Sequence, residues 1–312
     1  MFANIFTTVI IQPIFNLLVL IYALVPGHNF GLAIIIFTII MRLLMWPLVK
    51  KQIRQAKSMR ELQPEIKKIK LAAKGDKQKE SAMTMELYKE RGVNPFASLG
   101  IVIVQLPIII GLYSSVRRIV NNPHQIVTFS YSFISHLSWI KELSANIHRF
   151  DDSLFGLVNL GNKALSQHGL YWPAILIVAA SAGAQFLQAR QLMPQSKDSR
   201  SLRAILKEAG DGKTADQSEV NAAVGRGTQY LIPGFVFIFG LSFPAALPLY
   251  WLVSSAVAYL QQTRVLNEDV AEAEASVKVT TSSDKVSKTA SKKVEGAAAK
   301  QSNKKAKKRK KR

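Results

Sequence analysis

Residues 29–49 read NFGLAIIIFTIIMRLLMWPLV. A helix needs about 20 mostly apolar residues to cross the hydrocarbon core of a bilayer. This stretch supplies them with one interruption, Arg42. An apolar run of this length containing a single cation is the sign of a membrane-spanning helix with a task beyond anchoring.

Working outward, three further regions have the same character. Residues 95–116 (PFASLGIVIVQLPIIIGLYSSV) and 169–189 (GLYWPAILIVAASAGAQFLQA) each suffice for one span, and 229–262 is too long for one. Ser242-Phe243-Pro244 interrupts that last stretch. Proline removes a backbone donor and disfavours helix at the residue before it. A tight turn is therefore expected there, between spans at 229–243 and 245–262. Short spans of this kind thin the bilayer around them.

Composition agrees. The chain is 48% hydrophobic yet carries a net charge of +21. The two properties are segregated into uncharged blocks and basic connectors, as in integral membrane proteins. Lys and Arg number 13 in residues 50–94, 5 in 117–169, 7 in 190–228 and 15 in 263–312. Cytoplasmic connectors carry the excess of these residues. Residues 50–94, 190–228 and the tail are thus expected inside and 117–168 outside, with the N-terminus outside and the C-terminus cytoplasmic. A single span in 229–262 would send the tail outside, so the bias favours two.

The flanking segments differ in kind. Residues 1–28 hold no charged side chain, and Asn4, Thr8, Gln12 and Asn16 recur every four residues. The expectation is an amphipathic helix lying on the outer surface, with a sixth span as the alternative. Residues 50–94 read as a cytoplasmic helical hairpin turning at Lys74-Gly75-Asp76, with Leu62, Ile66 and Ile69 on one helix face and Met83 and Leu87 on another. Residues 190–228 read as a flexible cytoplasmic loop. Residues 263–312 read as a basic tail, disordered from 268 because too little apolar surface is available to offset ordering entropy. The tail ends in Lys304, Lys305, Lys307, Lys308, Arg309, Lys310, Lys311 and Arg312. Such a run attracts polyanions without sequence specificity; ribosomal RNA and anionic lipid headgroups fit, and specific DNA binding is not expected.

Cysteine is absent, and none of the five histidines lies within four residues of another. No metal site or cofactor is expected. No phosphate-binding loop, H-E-x-x-H or G-x-S-x-G occurs, so the chain does not read as an enzyme.

Arg42 remains to be explained. Arginine at the bilayer centre costs about 2.5–3.5 kcal/mol by insertion scales, and it cannot shed its proton. No Asp or Glu occurs in any of the four apolar regions. The side chain either snorkels to the inner headgroups or faces water. Polar residues that suit a wet groove are Thr38, one turn earlier, and Gln105 in the second span. Ser181, Gln185 and Gln188 lie in the third, and Tyr250, Ser254 and Gln261 in the fifth. Singly these side chains are ordinary helix–helix glue; beside an unpaired cation they suggest a groove through which polar segments of other chains enter the bilayer. A transporter or channel using the same residues is the rival reading.

Several motifs together resemble the YidC family of membrane protein insertases. They are FGLAIIIFTIIMRLLMWPL at 30–48, MRELQPEIKK at 59–68, ELYKERGVNPF at 86–96, QLPIIIGLY at 105–113 and FPAALPLYWLVSSAVAYLQQ at 243–262. The resemblance runs from about residue 10 to residue 264. It implies an all-α membrane protein with a five-transmembrane-helix insertase core, a cytoplasmic helical hairpin and a hydrophilic groove. It further implies nascent membrane proteins as substrates, action alone or with the Sec translocon, and a place in the bacterial inner membrane. Within it, Arg42 matches the groove arginine, Thr38 the polar residue one turn before, and Tyr250 and Trp251 the substrate-contacting aromatic pair. The basic tail matches a ribosome-contacting tail. The chain departs from the family pattern at Ala246, where F-P-x-G is usual, at Ser255, where asparagine is common, at Ala97–Gly100, and at the extra Pro248.

Overall fold

A computed structural model describes residues 2–94, 97–166, 169–192 and 230–269. The connector expected to be flexible and the basic tail therefore lie largely outside the described residues. The chain divides into two units, Met1–Thr263 and Arg264–Arg312. In the second unit, residues 264–269 are helical, with Arg264 Nε 3.1 Å from Glu268 Oε1.

The first unit is built of helices. Asn4–Leu24, Ile103–Asn121 and Trp172–Leu192 are each long and apolar enough to cross a membrane. Phe30–Leu44 and Trp46–Glu61 make a fourth such element if the pair, bent by 65°, is one span. Tyr230–Gly240 is a shorter apolar helix, and helix resumes at residue 246.

Near its start, the N-terminal helix passes through a π-helical turn at Thr7–Ile11, where Gln12 N–H reaches Thr7 O. Pro13 follows and has no N–H to give; the wider turn accommodates the missing rung. Phe15, Leu18, Val19 and Tyr22 are buried in the main core. The polar stripe does not simply face solvent. Asn16 is 2% exposed, donating from Nδ2 to Gln12 O at 2.7 Å and accepting from Tyr131 N at 2.6 Å. It ties this helix to the segment after residue 117. Gly111 permits the neighbouring long helix to approach: a Cβ there would stand 2.5 Å from Ile14 Cδ1.

Phe30–Leu44, the arginine helix, is capped by Asn29, whose side chain accepts from Leu32 N at 2.9 Å. Its buried residues are Phe30, Gly31, Ala33, Ile34, Phe37 and Thr38, the 3.6-residue period of one buried face. The span expected over 29–49 is thus divided at Met45. Past the bend, Trp46–Glu61 runs into the hairpin. There Lys74 takes the left-handed conformation at φ 49°, and Asp76 caps Lys77–Glu90 by accepting from Gln78 N and Lys79 N. Leu62, Leu87 and Val93 form a small separate core with Ile66 and Ile69 against it, and Arg91 pairs with Glu65 at 3.0 Å.

The segment 117–168 is more than a connector. It folds into short helices at Gln125–Thr128, Ser132–Ser135 and Ser138–Ala145 and a two-residue antiparallel pairing of Ser153–Leu154 with Val158–Asn159. Ile126, Ile134, Ile140, Leu143 and Leu160 are all fully buried in the main core. The ring of His28 stacks on Trp139 with centroids 3.8 Å apart and planes 5° from parallel. The turn expected at 242–244 is present, and this segment clasps it. Leu165 N donates to Leu241 O at 2.9 Å, Ala245 N to Asn162 O at 2.9 Å, and Ala246 N to Leu160 O at 3.1 Å.

Candidate functional site

Ser254 stands opposite Arg42. The guanidinium donates to Ser254 Oγ from Nε at 2.8 Å and from Nη2 at 2.6 Å. Guanidinium carries five N–H donors, so most of them stay available to other partners. Arg42 itself is half-buried, Ser254 is buried, and no carboxylate pairs with Arg42 among the described residues. The cation is held by a neutral hydroxyl, which fixes its position without neutralising it.

One turn before Ser254 on the same helix, Tyr250 is 2% exposed, and its hydroxyl accepts from Gln105 Nε2. Two turns after Ser254, Gln261 donates from Nε2 to Arg42 O at 3.1 Å. Tyr250, Ser254 and Gln261 share one helix face by their spacing. That face joins the arginine helix at two points and the helix of Gln105 at a third. Trp251, beside this face, packs edge-on to Phe243, which packs edge-on to Tyr113.

The other polar residues singled out in the sequence are placed differently. Thr38 is fully buried and spends its hydroxyl on Ile34 O at 2.7 Å, as Ser181 does on Val178 O at 2.8 Å. Both are back-bonded to their own helices. Gln185 and Gln188 are half-buried, and no hydrogen bond joins either to the Arg42 cluster among the described residues. Gln185 Oε1 is buried without a partner. The glutamine of this helix that reaches across is Gln191, donating to Thr263 Oγ1 at 2.7 Å. It continues the three-residue spacing of Gln185 and Gln188, a signal visible in the sequence but not followed that far. Lys304, Lys305, Lys307, Lys308, Arg309, Lys310, Lys311 and Arg312 lie outside the described residues.

Below the bend, a cavity of about 430 Å³ is lined by Pro47, Lys50, Lys51, Arg54, Gln55 and Ser58. The exposed leucines Leu43, Leu44 and Leu48 precede its cations along the chain. Apolar surface giving way to cations within a few turns matches the boundary between acyl chains and headgroups. Among the described residues, no group of His, Cys, Asp or Glu is placed to hold a metal ion.

Apolar helices and an uncompensated cation define the chain as an integral membrane protein. Residues 20–272 match the model of the 60Kd inner membrane protein family, and the chain belongs to that family, which is that of the YidC insertases. Its relatives include membrane protein insertase MisCA of Bacillus subtilis, 26% identical over 272 residues, covering 84% of this chain and 79% of that protein. Membrane protein insertase YidC of Streptomyces avermitilis is 29% identical over 244 residues, covering 78% of this chain and 52% of the relative. YidC of Rickettsia bellii is 30% identical over 254 residues, covering 81% and 38%. The chain therefore spans most of the Bacillus relative but only about half or less of these two YidC relatives. Family and apolar helices together make it a multi-pass protein of the cell membrane.

Proposed function

We propose that this protein is a membrane protein insertase whose Arg42 lies in a hydrophilic groove within a five-span core. The observation that carries the reading is the partner of Arg42. A cation in an apolar helix, bonded to one serine and to no carboxylate among the described residues, keeps its full charge for a visiting chain. Spans at 29–49, 95–116, 169–189, 229–243 and 245–262 enclose the groove. The N-terminus is outside and the C-terminus cytoplasmic.

A nascent membrane protein places a polar or acidic segment beside Arg42 while its apolar helix leaves along the flank. No covalent bond is made or broken. Tyr250 and Trp251 lie along the path, with Gln105 fixing Tyr250; Gln185 and Gln188 supply polar lining, and Thr38 packs behind it. The basic tail recruits the ribosome, the cavity below the bend takes anionic lipid headgroups, and the protein acts alone or beside the Sec translocon.

The test uses the absence of native cysteine. A single cysteine introduced at position 42 is expected to react with a membrane-impermeant thiol reagent added from the cytoplasmic side. Protection equal to that of a cysteine at lipid-facing Leu43 refutes the groove. Depletion is expected to leave small membrane proteins uninserted; unchanged insertion with altered solute uptake refutes the insertase reading.

A further inference from the structure

Gln261 does something that stability alone does not explain. The hydrogen-bond ladder of the arginine helix ends with Met45 N–H on Met41 O at 3.1 Å and restarts with Val49 N–H on Met45 O at 2.9 Å. The carbonyls of Arg42, Leu43 and Leu44 fall in the gap. Leu43 O has no donor four residues on because Pro47 has no N–H, and shares Met45 N–H with Met41 O instead. Backbone carbonyls at membrane depth need a donor from elsewhere. Gln261 Nε2 supplies it to Arg42 O, and to no other carbonyl of the gap.

The chemistry of this contact fixes the orientation of the amide. A backbone carbonyl only accepts, so the NH₂ half of Gln261 faces Arg42 and the Oε1 half faces away. Oε1 is buried with no partner, in a residue 7% exposed. An unpaired buried acceptor is destabilising. Leucine at this position would avoid that cost. The glutamine is explained by what its donor holds.

We infer that Gln261 is a positioning residue for Arg42, holding the backbone of the bend so that the guanidinium stays in register with Ser254. The inference rests on the reading of Arg42 as the charge that substrates meet. Ser254 and Gln261 lie seven residues apart on one helix face, and they grip the two ends of the same residue, side chain and carbonyl. Losing the second grip frees the bend. The charge remains but is no longer held at one place, and its preference for acidic segments weakens.

The experiment compares wild type, Gln261→Leu, Gln261→His and Arg42→Ala, each full-length in proteoliposomes. Two substrates are used that differ only in one acidic or one neutral residue beside the inserting helix. The ratio of their insertion rates reads the preference. We expect Gln261→Leu to lower the ratio by at least about threefold while the rate for the neutral substrate stays within about twofold. Gln261→His, whose ring N–H can donate to the same carbonyl, is expected to restore at least half of the lost preference. An unchanged ratio in Gln261→Leu overturns the inference, as does a ratio in Gln261→His no higher than in the leucine variant. If Gln261→Leu also loses the neutral substrate, the histidine variant decides. Arg42→Ala distinguishes the two levels: a preference that survives it refutes the role of Arg42 itself, whereas a preference lost there and kept in Gln261→Leu refutes only the role of Gln261.

Discussion

Replacing Ser254 by alanine removes the one side chain among the described residues that accepts from Arg42, and a double-mutant cycle with Arg42→Ala isolates what that contact contributes. Two N–H groups share one oxygen at 2.8 and 2.6 Å, so the contact is a single bifurcated acceptor and counts once. Hydrogen bonds to charged groups contribute about 1.5–3 kcal/mol in proteins. Neutral side-chain bonds between membrane helices average about 0.6 kcal/mol, because the unfolded chain in the membrane also finds partners. Arg42 is charged but only half-buried, which places the coupling near the bottom of the first range, at about 1.5 kcal/mol. The assay is reversible unfolding of wild type, Arg42→Ala, Ser254→Ala and the double variant in one lipid–detergent mixture. A coupling energy below about 0.5 kcal/mol would mean that the hydroxyl does not hold the guanidinium. The charge would then not be fixed in place by Ser254.

Gly31 lies against the main chain of Leu154, where a Cβ would stand 2.9 Å from Cα. Gly31→Ala should therefore cost about 1–3 kcal/mol by overpacking, seen as a lowered melting temperature; an unchanged one refutes the close approach. In the hairpin, Leu87→Ala should cost about 2–3 kcal/mol and raise amide exchange within 62–93, leaving exchange in Trp172–Leu192 unchanged. Exchange rising equally in both regions would show that the hairpin core is not separate. Burial holds the Asp152 carboxyl above its ordinary value, against the opposing effect of Asn159 Nδ2 donating to it at 2.8 Å. A raised folded pKa makes the ionised form a liability above that pKa and harmless below the unfolded value. Asp152→Asn should accordingly raise the melting temperature at neutral pH and leave it unchanged in acid below the carboxylate range; a gain that persists in acid counts against this. Removing residues 268–312 should reduce ribosome co-sedimentation most at low salt, and an unaltered level refutes the assignment of the tail.

The parts of this architecture legible in the sequence are those fixed by local chemistry. Arg42 stands out because one cation in an apolar run must either snorkel to the headgroups or face water. The turn at 242–244 follows from Pro244, and the hairpin tip from Lys74-Gly75-Asp76 with its helix-capping carboxylate. What stayed hidden depends on partners distant in sequence. Ile126, Ile134, Ile140 and Leu143 sit among Ser, His and Lys in a segment whose composition suggests a solvated connector, and only packing into the main core buries them. Asn16 belongs to a surface-like stripe until Tyr131 N arrives to use its carbonyl. Within the site, the polarity of Gln185, Gln188 and Thr38 was plain but their direction was not. Thr38 turns its hydroxyl back onto Ile34, and the two glutamines do not reach the cation. The common face of Tyr250, Ser254 and Gln261 follows from their spacing, but that it meets Arg42 is set by the packing of the helices.

The clasp between residues 160–165 and 241–246 has a consequence for how this molecule is itself made. Its halves are far apart in the order of synthesis. The first emerges earlier, and its carbonyls and amides lack these partners until residues 241–246 have followed. A nascent copy is therefore unfastened along that seam for much of its biogenesis. The helix carrying Ser254 and Gln261 follows directly on that seam, so the partners of the arginine are made after the seam's second half.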